Sequence, residues 1–86
     1  MFQAFYNSTP KPYAPYRELV FKRFGDDGWC VRIYSGLLYD DSSSEVTKEV
    51  RVKSFDDGMS EFDRLFKELS DEGWSPYDPR LHPHLR

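Results

Sequence analysis

Residues 54–74 read SFDDGMSEFDRLFKELSDEGW and directly follow VTKEVRVK at residues 46–53; the change of period between these two segments decides the fold. In the first, Val46, Val50 and Val52 face one way, and Thr47, Glu49, Arg51 and Lys53 the other, the two-residue repeat of a half-buried strand. In the second, Phe55, Met59, Phe62, Phe66 and Leu69 step by four, three, four and three, so they share one side of a 3.6-residue period. Leu65 widens the stripe. Ser54 or Asp56 is expected to cap the start, with Asp56 and Asp57 placed favourably against the helix dipole. Gly73 suits the left-handed position beyond the last turn, and Trp74 is expected to pack back on Leu69.

Upstream of this junction, Glu18 to Phe24 (ELVFKRF) is rich in strand formers, and Gly25-Asp26-Asp27-Gly28 offers a turn. Trp29 to Tyr34 (WCVRIY) then alternates, so the two segments are expected to form a hairpin. Trp29, Val31 and Ile33 share one face, Arg32 and Tyr34 the other, and Gly36 marks a bulge or bend. Either Leu19 with Phe21 or Val20 with Phe24 forms the inward set of the first strand. Asp40-Asp41-Ser42-Ser43-Ser44 is expected to be a polar connection. The expected fold is α+β: a three-stranded antiparallel meander, β-β-β-α in order, covered by one C-terminal amphipathic helix in two layers.

The chain of 86 residues is expected to be one domain, with residues 1–16 an extended arm, 17–74 the β-β-β-α core and 75–86 a tail. The arm interleaves Phe2, Phe5, Tyr6, Tyr13 and Tyr16 with Pro10, Pro12 and Pro15, which disfavour helix and central strand. Pro76, Pro79 and Pro83 mark the tail, held at most by Tyr77 and Leu81. A chain this short buries a small fraction of its surface, and seven Phe, six Tyr and two Trp make its core dense. One cysteine, Cys30, excludes an intramolecular disulfide framework, and no apolar run is long enough to span a bilayer. No leader pattern follows Met1, and a cytoplasmic protein is expected.

No residue pattern points to catalysis. Cys30 has no paired cysteine and no base at a defined spacing, and thiolate chemistry needs both a nearby base and a lowered pKa. His82 and His84 flank Pro83, short of the three or four ligands that zinc takes. The acidic loops lack the ligand spacing of a calcium loop, and there is no phosphate-cradling glycine loop. The expectation is a protein without enzymatic activity, cofactor or metal.

Charge is separated between the layers. The acidic candidates for partner binding are Asp26, Asp27, Asp40, Asp41, Glu61, Glu68 and Asp71, with pairs such as Asp63–Lys67 and Arg64–Glu68 running along the helix. The sheet face opposite the helix offers Arg32, Tyr34, Arg51 and Lys53, the composition used for phosphate contact and base stacking; Lys22 joins them if Leu19 and Phe21 point inward. A formal charge of −3 opposes attraction of the whole molecule to nucleic acid or anionic membrane. In size and charge the chain is similar to small phage-encoded inhibitors, including anti-CRISPR proteins, which block nucleic-acid machinery at its basic sites. That likeness implies a viral protein that occupies a basic partner surface through its acidic and aromatic residues. The alternatives are a nucleic-acid-binding accessory domain that uses the basic sheet face, and an assembly subunit that forms a homodimer through its N-terminal arm or by edge pairing.

Overall fold

A computed structural model describes residues 1–6, 14–38 and 40–77, Asp41 by its backbone alone. The fold is α+β. Five strands, β1 (Phe2–Tyr6), β2 (Pro15–Phe24), β3 (Gly28–Leu37), β4 (Asp40–Val52) and β5 (Ser75–Pro76), form one antiparallel sheet, and α1 (Phe55–Asp71) packs on one face. The strand order is β4-β3-β2-β1-β5. The expected three-stranded meander, β-β-β-α, is corrected: four sequential strands, β1 to β4, pair antiparallel before the helix, and β5 adds to the edge of β1.

Both additional strands come from segments expected to lie outside the sheet. Phe2 to Tyr6, the start of the expected arm, pairs with Val20 to Tyr16. The Met1 ammonium donates to the Phe21 carbonyl at 3.1 Å, and the Phe21 amide donates to the Met1 carbonyl at 2.8 Å. Burial drives the pairing, because Phe5 is fully buried and meets Phe66 edge-on at 5.0 Å. Ser75 and Pro76, at the start of the expected tail, pair with Tyr6 and Phe5, and the Tyr77 amide donates to the Ala4 carbonyl at 2.8 Å. The rest of the arm (7–13) and of the tail, with Leu81, His82 and His84, lies outside the described residues.

β2 turns Leu19 and Phe21 inward, not Val20 and Phe24. Together with Phe5, Val31, Ile33, Phe62, Leu65 and Leu69 they form the core. Trp29, Met59, Phe66 and Trp74 pack against it half-buried. Phe55 remains half exposed, but it touches the rings of Phe21 and Trp29 at 5.2 and 5.3 Å.

Both helix ends match the expectation. The Ser54 hydroxyl accepts from the Asp57 amide at 3.1 Å. Gly73 adopts φ 98°, the Trp74 amide donates to the Leu69 carbonyl at 3.0 Å, and the Gly73 amide donates to the Ser70 carbonyl at 3.1 Å. These are the two bonds of a Schellman close. Arg64 bonds Glu68 as expected and Glu61 as well, whereas Asp63 and Lys67 form no ion pair among the described residues.

β4 departs from the simple alternation. Ile33 stands opposite Lys48 but Tyr34 opposite Val46, so Thr47 is an extra residue, and its hydroxyl donates to the Ile33 carbonyl at 3.2 Å. The bulge puts Val46 beside Tyr34 on the side away from the helix, where the simple alternation would have turned it inward. The polar run Asp40 to Ser44 is also part of β4. Ser43 Oγ accepts from the Leu37 amide and donates to the Asp40 carbonyl, each at 2.7 Å, so this one side chain replaces ladder bonds where the register shifts. Gly36 lies opposite this shift as expected. A Cβ there would approach both Tyr16 Cε1 and Ser44 Cα to 3.2 Å.

Candidate functional site

Residues opposite one another on neighbouring strands share a sheet face, and the helix covers the face of Leu19, Phe21, Val31 and Ile33. The register therefore assigns the other face rung by rung. One rung is Phe2-Val20-Arg32-Glu49, the next Ala4-Glu18-Tyr34-Val46, and on the far side of the first lies Lys22-Cys30-Arg51. No described element covers this face. Phe2 is 68 % exposed and Val46 48 %.

Its electrostatics centre on Glu49, whose Oε1 accepts from Arg32 Nε while its Oε2 lies 3.4 Å from Arg51 Nη2. Arg32 Nη1 also donates to Tyr34 Oη at 3.2 Å, and the Arg51 guanidinium lies over the Phe24 ring at 4.2 Å. Hydrogen bonding from Arg32 holds the Glu49 carboxyl below the ordinary glutamate range, and bonds to Tyr34 and Glu49 hold Arg32 more firmly protonated than a free guanidinium. The two arginines are thus partly neutralised in place.

Beneath them Cys30 is fully buried, its Sγ 3.5 Å from Glu49 Oε1. Burial, and then the hydrogen bond to Glu49, push its thiol up, so the thiolate is disfavoured. Cys30 is expected to react with a maleimide or disulfide reagent more than about tenfold more slowly in the native protein than in urea, since reaction must wait for local opening. Equal rates would show that the thiol is open to solvent.

Of the residues expected on a basic face, Arg32, Tyr34 and Arg51 are brought together, Lys22 joins them opposite Cys30, and Lys53 follows β4 as an exposed residue with no ion pair among the described residues. The acidic candidates are not gathered into one surface. Asp26 and Asp27 occupy the turn between β2 and β3 at one end of the sheet, where the Asp26 carbonyl accepts from Arg23. Asp40 and the backbone of Asp41 begin β4 at the opposite end. Glu61 and Glu68 are both held by Arg64, at 2.6 and 3.3 Å, and Glu68 also by Lys48 at 2.7 Å. The Lys48 bond keeps the Glu68 carboxyl below its usual range. Asp71 closes the helix.

Phe2 and Val46 lie on this face against expectation, and Val20, whose phase the sequence leaves open, joins them. Phe2 required β1 to be recognised, and Val46 has the parity of an inward residue until the bulge is known. Among the described residues no pocket forms, no cluster of three metal-ligating side chains occurs, and no helix is long and apolar enough to cross a membrane. No family model matches the chain, and no curated protein or solved structure matches it either.

Proposed function

We propose that this chain is a small binding protein, without catalytic chemistry of its own, that occupies the surface of a partner protein through the sheet face opposite the helix, which no described element covers. The observation that carries this reading is the exposure of Phe2 and Val46 in adjoining rungs, with Arg32 and Tyr34 between them. Aromatic and arginine side chains are the residues enriched at the energetic centres of protein interfaces. Glu49 already pairs with both arginines, which suits a protein partner better than a phosphate chain that would need those charges free. Asp26 and Asp27 at one end of the sheet and Asp40 at the other add acidic charge that would steer a partner basic at its rim.

The narrower form of this reading is a phage-encoded inhibitor of the anti-CRISPR kind, acting in the cytoplasm on a nucleic-acid-binding complex; size and charge support it. The test is affinity capture from the source cells with the wild-type chain and with F2S/V46S, each checked for native fold by circular dichroism. The double variant is expected to hold its partner at least about tenfold less tightly. Equal retention by a folded F2S/V46S would remove the reading.

A second reading, a nucleic-acid-binding accessory domain, is favoured by the hydrogen bond that sets Arg32 beside the Tyr34 ring. It would use Arg32, Tyr34, Arg51 and Lys53. Binding to single-stranded RNA or DNA should then fall linearly in log salt, and E49Q should strengthen it by freeing both arginines. Absence of binding at low salt would exclude this reading.

A further inference from the structure

We propose that the outer edge of β4 pairs with the same edge of a second copy, giving one continuous sheet across a two-fold axis at Val50. The direction of the backbone groups follows from the far side of the sheet. Met1 and Phe21 exchange main-chain bonds, so Phe21, and by alternation Leu19 and Arg17, aim their N–H and C=O groups at β1. The residues between them aim at β3. Carried through the register, the same alternation turns Trp29 and Val31 toward β4, where Val52 and Val50 receive them. Glu49 and Arg51 therefore direct their main-chain groups away from β3, at an edge that no described strand covers.

An uncovered edge is a template for another strand. This one is short, because the bulge at Thr47 interrupts it on one side and the chain leaves for the helix at Ser54 on the other. Within it, Glu49-Val50-Arg51 is complementary to itself. About an axis through Val50, Glu49 of each copy faces Arg51 of the other, with Val50 against Val50 on the helix side. Centres at Lys48, Glu49 or Arg51 would instead set identical charges against one another. The register selected by charge also agrees with the backbone, since Glu49 and Arg51 are the residues whose amides point outward. Val50 then forms the closer-set pair without main-chain bonds. The interface is isologous, as a two-fold dimer requires, and leaves the face of Phe2, Tyr34 and Val46 open on both copies.

Sedimentation of the full chain over a concentration series tests the proposal. The wild type is expected to show a reversible doubling of molar mass. E49R and R51E are each expected to stay monomeric, because each edge then carries two charges of one sign. An equimolar mixture of the two variants is expected to recover the doubled mass, each edge now meeting its opposite, which also shows that both variants fold. In the wild type, exchange of the Glu49 and Arg51 amides is expected to slow as concentration rises. A wild type that stays monomeric, a dimer that persists in both single variants, a mixture that stays monomeric, or amide exchange indifferent to concentration would each overturn it.

Discussion

Phe5→Ala is expected to lower the folding free energy by about 3–5 kcal/mol, the usual cost of emptying a phenylalanine site in a core that cannot collapse. Phe5 is fully buried and leans on Phe66 beneath the helix, although it belongs to a segment whose composition suggests a loose arm. A domain of 86 residues is stable by about 4–13 kcal/mol in total, so the loss approaches the whole in the weaker half of that range. Urea unfolding followed by tryptophan fluorescence should show a much lower midpoint, with the slope little changed. Phe2→Ala is the control. Phe2 lies on the same strand but on the face opposite the helix, exposed among the described residues, and its truncation is expected to change stability by no more than about 0.5 kcal/mol. Similar small effects at both positions would mean that residues 1–6 are not held in the sheet; a large effect at Phe5 alone is what the register of β1 on β2 requires.

The contrast within β1 also shows where the sequence was legible. Local signals were read correctly because local chemistry produces them: Ser54 caps through its own hydroxyl, Gly73 takes the positive φ that only glycine adopts freely, and Phe24 to Gly28 turns around Gly25. The inward phase of β2 was open, since Leu19-Val20-Phe21 is apolar throughout and alternation has nothing to grip. It was settled by β1 and α1, which are distant in sequence. β1 itself is not legible because Phe2-Gln3-Ala4-Phe5-Tyr6 does not alternate apolar with polar residues, and Pro10, Pro12 and Pro15 after it give the whole segment the composition of an extended arm. The bulge at Thr47 was illegible for a different reason. Val46, Lys48 and Val50 share one parity in the sequence, which carries no sign of the extra residue, and the register slips because Ile33 pairs with Lys48 while Tyr34 pairs with Val46. That slip moves Val46 onto the face opposite the helix, so part of the candidate site is visible only once the pairing is known. The acidic candidates met the opposite limit: their identity was plain, but their scattering over two sheet ends and one helix is a property of topology.

Gly58→Ala is expected to destabilise the protein by about 1–3 kcal/mol, against the sign that helix propensity alone would give. An interior glycine costs roughly 1 kcal/mol relative to alanine, so an exposed site would gain from the change. Gly58 is buried in the first turns of α1, where a Cβ would overlap Phe21 Cε1 and stand 2.5 Å from Cζ. No carbon pair tolerates that separation, so the ring must move. It cannot move alone: Phe21 is buried, with the Trp29 ring at 5.1 Å and the Phe55 ring at 5.2 Å. Overpacking of this kind outweighs the propensity gain. The Phe21→Leu variant separates the two terms, because a smaller side chain loses packing but leaves room for the added methyl. In urea unfolding the double variant is expected to be less destabilised than the sum of the two single changes, by an interaction of about 1 kcal/mol or more. Additive losses would mean that the ring and the helix do not compete for the same space. A stabilising Gly58→Ala would mean that the first turn of α1 can lift away from the sheet, loosening the cluster of Phe21, Trp29 and Phe55 that fixes how the helix enters the fold.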